Sequence, residues 1–106
     1  MRGLNDLVRQ AQMMQKKMAK AQEELAEKLV EGSSGGGMVT VTATGSQELR
    51  SVKIDPAAVD PQDVTMLEDL VLAAVNDALK KSREMMQEEM SGLTGGLKLP
   101  GMPGLF

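Results

Sequence analysis

Cysteine, histidine, tryptophan and tyrosine are all missing, and the one aromatic residue is Phe106, at the last of 106 positions. Without cysteine there can be no disulfide, no thiolate nucleophile and no thiolate zinc site. Without histidine the commonest general base and the commonest metal ligand are gone. Carboxylates remain able to hold a hard cation, so the composition disfavours a metal without excluding it. No run is long and apolar enough to span a membrane, and the N-terminus lacks the apolar stretch of a signal peptide. Together with the absent cysteines, this points to the cytosol.

A core without aromatics has to be assembled from Leu, Val, Ile, Ala and the ten methionines. Such side chains each bury little area, so a monomer of this length is expected to be marginal, and association is the simplest remedy. The formal net charge of -3 argues mildly against a nucleic-acid partner. Its distribution says more. Arg2, Arg9, Lys16, Lys17 and Lys20 face only Asp6 within the first twenty residues, whereas Glu23, Glu24, Glu27 and Glu31 face only Lys28 in the next stretch.

Leu4, Leu7, Ala11, Met14, Met18, Ala21 and Leu25 recur at spacings of three and four, the a/d seam of a heptad pattern. The spacing predicts a helix from about Leu4 to Glu27, with the methionines as a packing stripe rather than a ligand box. From Met38 to Thr44, Val39, Val41 and Ala43 alternate with Thr40, Thr42 and Thr44, which predicts a strand. Gly45-Ser46 marks a turn. A further strand is expected at about Glu48 to Ile54, with Arg50, Val52 and Ile54 on one face, ended by Asp55-Pro56.

Asp60-Pro61-Gln62-Asp63 reads as a helix start, with Asp60 as cap and Pro61 at the first helical position. Val64, Leu67, Val71, Ala74, Val75 and Ala78 then trace one face, widened by Leu70 and Leu79. The helix is expected to end near Met90, with Gly92 as its stop. Residues 1–91 thus read as a single domain and residues 92–106 as a mobile Gly/Pro-rich tail. Helices of about 25–30 residues reach ~40–45 Å, whereas a seven-residue strand covers only ~23 Å. The apolar stripes must therefore overhang the sheet and be covered by the other helix, by a second subunit, or by both.

The stretch "VEGSSGGGMVTVTATG" (Val30 to Gly45) raises the question of a phosphate cradle. A phosphate loop needs strand, glycines, then helix, closed by Lys-Ser/Thr. Here the glycines precede a strand and the next lysine is Lys53. A tight reversal through Gly35 to Gly37 fits better, with Leu29 to Ser34 as a short strand paired to the next. No catalytic set emerges either. Glu68 and Asp69 are adjacent on a helix and point to different faces, and nothing activates Lys16, Lys17, Lys80 or Lys81.

Arg9, Lys16 and Lys20 share one side of the first helix, with Lys17 beside them; Lys80, Lys81 and Arg83 cluster on the last. Ordinary solubility accounts for such charges. An anionic partner is the alternative. If that partner is DNA, the contacts must be amine and guanidinium to phosphate, since a stacking platform is missing. The rival to both is a protein-interaction module gripping a partner with Met13, Met85, Met86 and Met90.

"VEGSSGGGMVTVTATG", "SVKIDP", "MLEDLVLAAVNDALKK" and "LTGGL", in this order, resemble the YbaB/EbfC family of bacterial nucleoid-associated proteins over nearly the whole chain. The resemblance implies an α+β fold: a long N-terminal helix, a small three-stranded antiparallel sheet and a long C-terminal helix, paired as a homodimer with protruding helices. It further implies sequence-tolerant binding of double-stranded DNA in the nucleoid, with effects on chromosome organisation and gene expression. No cofactor, membrane or small-molecule substrate is implied. The matching residues Val39, Val41, Val52, Ile54, Leu67, Leu70, Val71 and Ala74, with Met14 and Met18 of the seam, are expected to form core and dimer interface. The resemblance places DNA contacts on the helices; charge and helix register there select Arg9, Lys16, Lys17, Lys20, Lys80, Lys81 and Arg83.

Overall fold

The computed structural model describes residues 2–94. It runs α1 (Arg2–Glu27), β1 (Leu29–Ser34), β2 (Val39–Thr44), β3 (Leu49–Ile54), a single 3-10 turn (Pro56–Ala58) and α2 (Val64–Thr94). The strands form one antiparallel sheet in the order β1-β2-β3. The molecule is elongated, 73 × 28 × 16 Å. Its helices extend about 39 and 46 Å at 1.5 Å per residue, far beyond strands of six residues.

The three consecutive glycines make a turn. Gly35, Gly36 and Gly37 all have positive φ, at 59°, 67° and 96°, a region open to glycine and costly for other residues. Gly37 N–H donates to Ser34 O at 3.1 Å, and the register then closes Ser34 onto Val39. The second hairpin uses Gly45 and Ser46 as expected, with Gln47 at φ 65°.

The core lies between α2 and the β1–β2 half of the sheet. Val39, Val41 and Ala43 of β2 are fully buried against Ala74 and Ala78, with Val30, Leu67, Leu70, Val71 and Val75 packed around them. Ala74, Ala78 and Ser82 are spaced by four, so they form one ridge along α2. Opposite this ridge sits Gly32. A Cβ there would lie 2.3 Å from Ala78 N and 2.6 Å from Ala74 O, so α2 and β1 meet backbone to backbone. Ser82 continues the ridge with polar chemistry: its hydroxyl donates to Thr44 O at 2.7 Å and accepts from Gln47 N–H at 3.0 Å.

Three expectations need correction. Asp60 does not cap the last helix. Its carboxylate accepts from Gln62 N–H within a turn, and Asp63 is the cap, accepting from Met66 N–H at 3.2 Å. Nor does Gly92 stop α2, which continues to Thr94. In β3 the register shifts: Thr42 pairs with Ser51 but Ala43 with Leu49, leaving Arg50 as an extra residue. This bulge brings Leu49, which simple alternation leaves out, onto the face that carries Val52 and Ile54. Val52 and Ile54, expected in core or dimer interface, are 46% and 39% exposed in the single chain, because α2 covers β1 and β2 but leaves β3 open. Of the tail proposed for 92–106, residues 95–106 lie outside the described residues.

Gly32→Ala should cost at least about 3 kcal/mol, because backbone atoms rather than a flexible side chain must yield. Gly36→Ala, with open space around its Cβ, should cost about 1–2 kcal/mol from the left-handed backbone alone. Urea unfolding of the two variants checks this ranking, and equal losses would contradict it.

Candidate nucleic-acid interface

α1 meets the rest of the molecule only toward its C-terminal end. Ala21 and Leu25 are buried there. The root of the helix is fastened by backbone: Gly45 N–H donates to Leu25 O at 2.9 Å and to Lys28 O at 3.0 Å, filling carbonyls that a helix end leaves open. A Cβ at Gly45 would sit 2.8 Å from Leu25 O. Lys28, just past the helix, is ion-paired to Glu89 of α2. That hydrogen bond is the main reason the Lys28 pKa is raised above its ordinary value.

Because Ala21 and Leu25 point into the body, helical periodicity orients everything before them. Met18, Met14, Ala11, Leu7 and Leu4 continue the same stripe, while Arg9, Lys16 and Lys20 fall on the opposite side of α1. Along the protruding part the stripe is largely uncovered. Leu4, Leu7 and Met18 are 58%, 63% and 41% exposed, and Met14 alone is half-buried. Arg9, Lys16, Lys17 and Lys20 are exposed, and none of them forms an ion pair among the described residues. The acidic Glu23, Glu24 and Glu27 lie near the root instead.

The α2 candidates divide. Lys80 and Arg83 are exposed on the side of the helix away from the sheet. Lys81 is committed elsewhere. Its ammonium donates to Glu31 O at 3.0 Å and pairs with Asp77 Oδ2 at 3.3 Å, one turn earlier. Asp77 in turn accepts from Ser33 N–H at 3.0 Å. These two side chains thus occupy a donor and an acceptor of the β1 backbone at the sheet edge. The amide of Ser33, then the Lys81 ammonium, hold the Asp77 carboxyl below its usual 3.8. Sequence reasoning grouped Lys81 with Lys80 by adjacency, although a step of 100° along a helix sends neighbours in different directions. It also missed Asp77, whose one signal was its i,i+4 spacing to Lys81.

The methionines offered for a protein-gripping surface are not presented as a set. Met13 is 51% exposed, whereas Met85, Met86 and Met90 are half-buried. Among the described residues no group of three or more acidic side chains is placed to hold a metal ion, and no helix is long and apolar enough to cross a membrane.

The arrangement defines a small α+β scaffold that displays basic helix faces to solvent. The chain belongs to the YbaB/EbfC DNA-binding family, whose model matches residues 1–97. Among its relatives, a nucleoid-associated protein of Acetivibrio thermocellus is 57% identical over 97% of this chain and 89% of its own length. One from Syntrophobacter fumaroxidans is 55% identical over 99% and 96%. An uncharacterized Helicobacter pylori protein of known crystal structure, 25% identical, superposes with a TM-score of 0.68 over 86% of this chain and 91% of that one. The family is a DNA-binding one and not an enzyme family.

The edge pair has a pH signature. A carboxyl held below its unfolded value stabilises the fold above pH 3.8 and ceases to do so as pH falls through its lower folded value. Asp77→Asn should therefore be less stable than the parent at neutral pH, with the gap closing below pH 3.8. Urea midpoints measured from pH 7 to pH 2 check it; a gap constant with pH would contradict it.

Proposed function

We propose that two copies of this chain together bind double-stranded DNA through phosphate contacts that tolerate any sequence, and that the protein acts in the bacterial cytoplasm as a nucleoid-associated organiser of the chromosome. The observation that carries this reading is the opposition of faces on α1. Burial of Ala21 and Leu25 turns the apolar stripe one way and Arg9, Lys16 and Lys20 the other, with Lys17 beside them. Lys80 and Arg83 supply the α2 contribution. The net charge of -3 is no obstacle, because within α1 the acidic Glu23, Glu24 and Glu27 lie at the root, whereas the protruding part carries basic residues against Asp6 alone.

The mechanism follows from what the side chains can do. Amines and guanidinium groups neutralise phosphates and release counterions, which gives affinity without base discrimination. Base stacking contributes nothing, as Phe106 is the only aromatic residue. The protein carries out no reaction. A duplicated set of basic faces lets one assembly hold two stretches of backbone.

Changing Lys16, Lys17 and Lys20 together to glutamate should weaken duplex binding and flatten its salt dependence, by about 0.9 in log–log slope per lost phosphate contact. Lys81→Met should lower stability but leave the slope unchanged, because Lys81 is tied to β1. Mobility-shift titrations on two unrelated duplexes at several salt concentrations measure both effects. An unchanged slope in the triple variant, or strong preference for one duplex, would overturn the reading.

A further inference from the structure

The direction of α2 relative to β1 fixes where the last helix ends. Along β1, Glu31 meets Lys81, Gly32 meets Ala78 and Ala74, and the Ser34 hydroxyl donates to Leu70 O. β1 and α2 therefore run in opposite directions, and α1, which precedes β1, lies toward the C-terminal half of α2. Ser82 donates to Thr44 O, and the next residue, Gly45, donates to Leu25 O. Leu25 and Ser82 thus stand at about the same level. From Ser82 to Thr94 the helix advances about 18 Å. The same distance measured back along α1 from Leu25 reaches Met13 and Met14.

Burial agrees with this stagger. On α2, Met86, Met90 and Leu93 are half-buried, and on the α1 stripe Met14 is the last residue toward the N-terminus that is not exposed. The 73 Å length of the molecule, greater than either helix alone, requires the same offset. Past the end of α2 the stripe is bare. Leu4, Leu7 and Val8 are 58%, 63% and 50% exposed, and Ala11 is exposed beside them. Met14 to Leu4 is a distance of about 15 Å along the helix.

Residues 95–106 continue the chain from the foot of this bare stretch. Leu97, Leu99, Met102, Leu105 and Phe106 make the segment apolar, and Lys98 is its one charged side chain. Pro100 and Pro103 lack the N–H that a continued helix needs. A chain of this length reaches up to ~40 Å, more than twice the distance to Leu4.

We propose that residues 95–106 seat on the exposed Leu4–Leu7–Val8–Ala11 stripe of α1 in the same chain. The contact lies within one chain and so stands apart from the proposed function. The stripe needs an apolar cover and the segment needs an apolar seat. Covalent attachment at Thr94, level with the start of the stripe, gives the segment an effective concentration on the order of millimolar there. Arg9, Lys16 and Lys20 lie on the other side of α1 and stay open to solvent. The seat therefore covers the oily side of the protruding helix and leaves its cationic side free.

The chain has no native cysteine, so a spin label on Gly104→Cys is the single label. In isotope-labelled full-length protein, the amide signals of Leu4, Leu7, Val8 and Ala11 should lose intensity, while that of Ser51 in β3 should not. The loss should persist when labelled chains are diluted into an excess of unlabelled ones. It should disappear in Leu7→Asp, a site already exposed among the described residues, with circular dichroism confirming the fold. Undiminished α1 signals would overturn the proposal and leave the stripe to another occupant. A loss abolished by dilution would also overturn it, by assigning the seat to a second copy's segment. A loss that survives Leu7→Asp would show that the stripe is not what holds the segment. Should Leu7→Asp prevent folding, Phe106→Trp gives an independent reading. Its indole should emit at shorter wavelength than the same residue in a free peptide of residues 95–106; identical emission would refute the seat.

Discussion

Everything in this molecule depends on how closely α2 approaches β1. At Gly32 the two backbones touch, and the helix answers with Ala74, Ala78 and Ser82, the smallest side chains available at a spacing of four. This contact sets the depth at which Val39, Val41 and Ala43 are buried. It also brings Asp77 and Lys81 within reach of the β1 backbone and the Ser82 hydroxyl within reach of Thr44 and Gln47. A chain without core aromatics cannot fill wide gaps, so it makes the gap narrow. Close packing of small residues replaces the area that large ones would have buried.

The same approach fixes what is left open. Because α2 sits over β1 and β2, β3 is uncovered, and because α1 is anchored only at its root, most of its length stands away from the body. Two kinds of surface result. One is aliphatic, on β3 and the adjoining flank of α2. The other is cationic, on the outer side of α1. Because they are separate on the molecule, the proposed self-association and the proposed DNA binding would not compete for the same side chains. Methionine in the stripe of α1 adds an adaptable apolar surface to the protruding helix.

Much of this was legible in the sequence. Spacings of three and four gave α1 and the direction of its seam, and alternation gave β2, since both periods are enforced by backbone geometry. Gly35 to Gly37 were readable as a turn because their order relative to the strands is incompatible with a phosphate loop. Other features were hidden for physical reasons. Asp60 and Asp63 are equally good caps in isolation, and the register of the preceding turn chose between them. Gly92 lowers helix propensity by only about 1 kcal/mol, too little to end a long helix by itself. The β3 bulge at Arg50 leaves no mark in a pattern only six residues long. The candidate binding residues were the least legible: charge can be counted along a chain, but whether an ammonium faces solvent or a neighbouring carbonyl depends on tertiary placement, as Lys81 demonstrates against Lys80.

The claim that joins these surfaces is that DNA is held by a pair of chains and not by one. Native mass spectrometry of the protein mixed with a short duplex, sized for a single bound assembly, measures this most directly. The account predicts a complex of one duplex with two chains, and none with a single chain at any ratio. A stable complex of one duplex with one chain would contradict it.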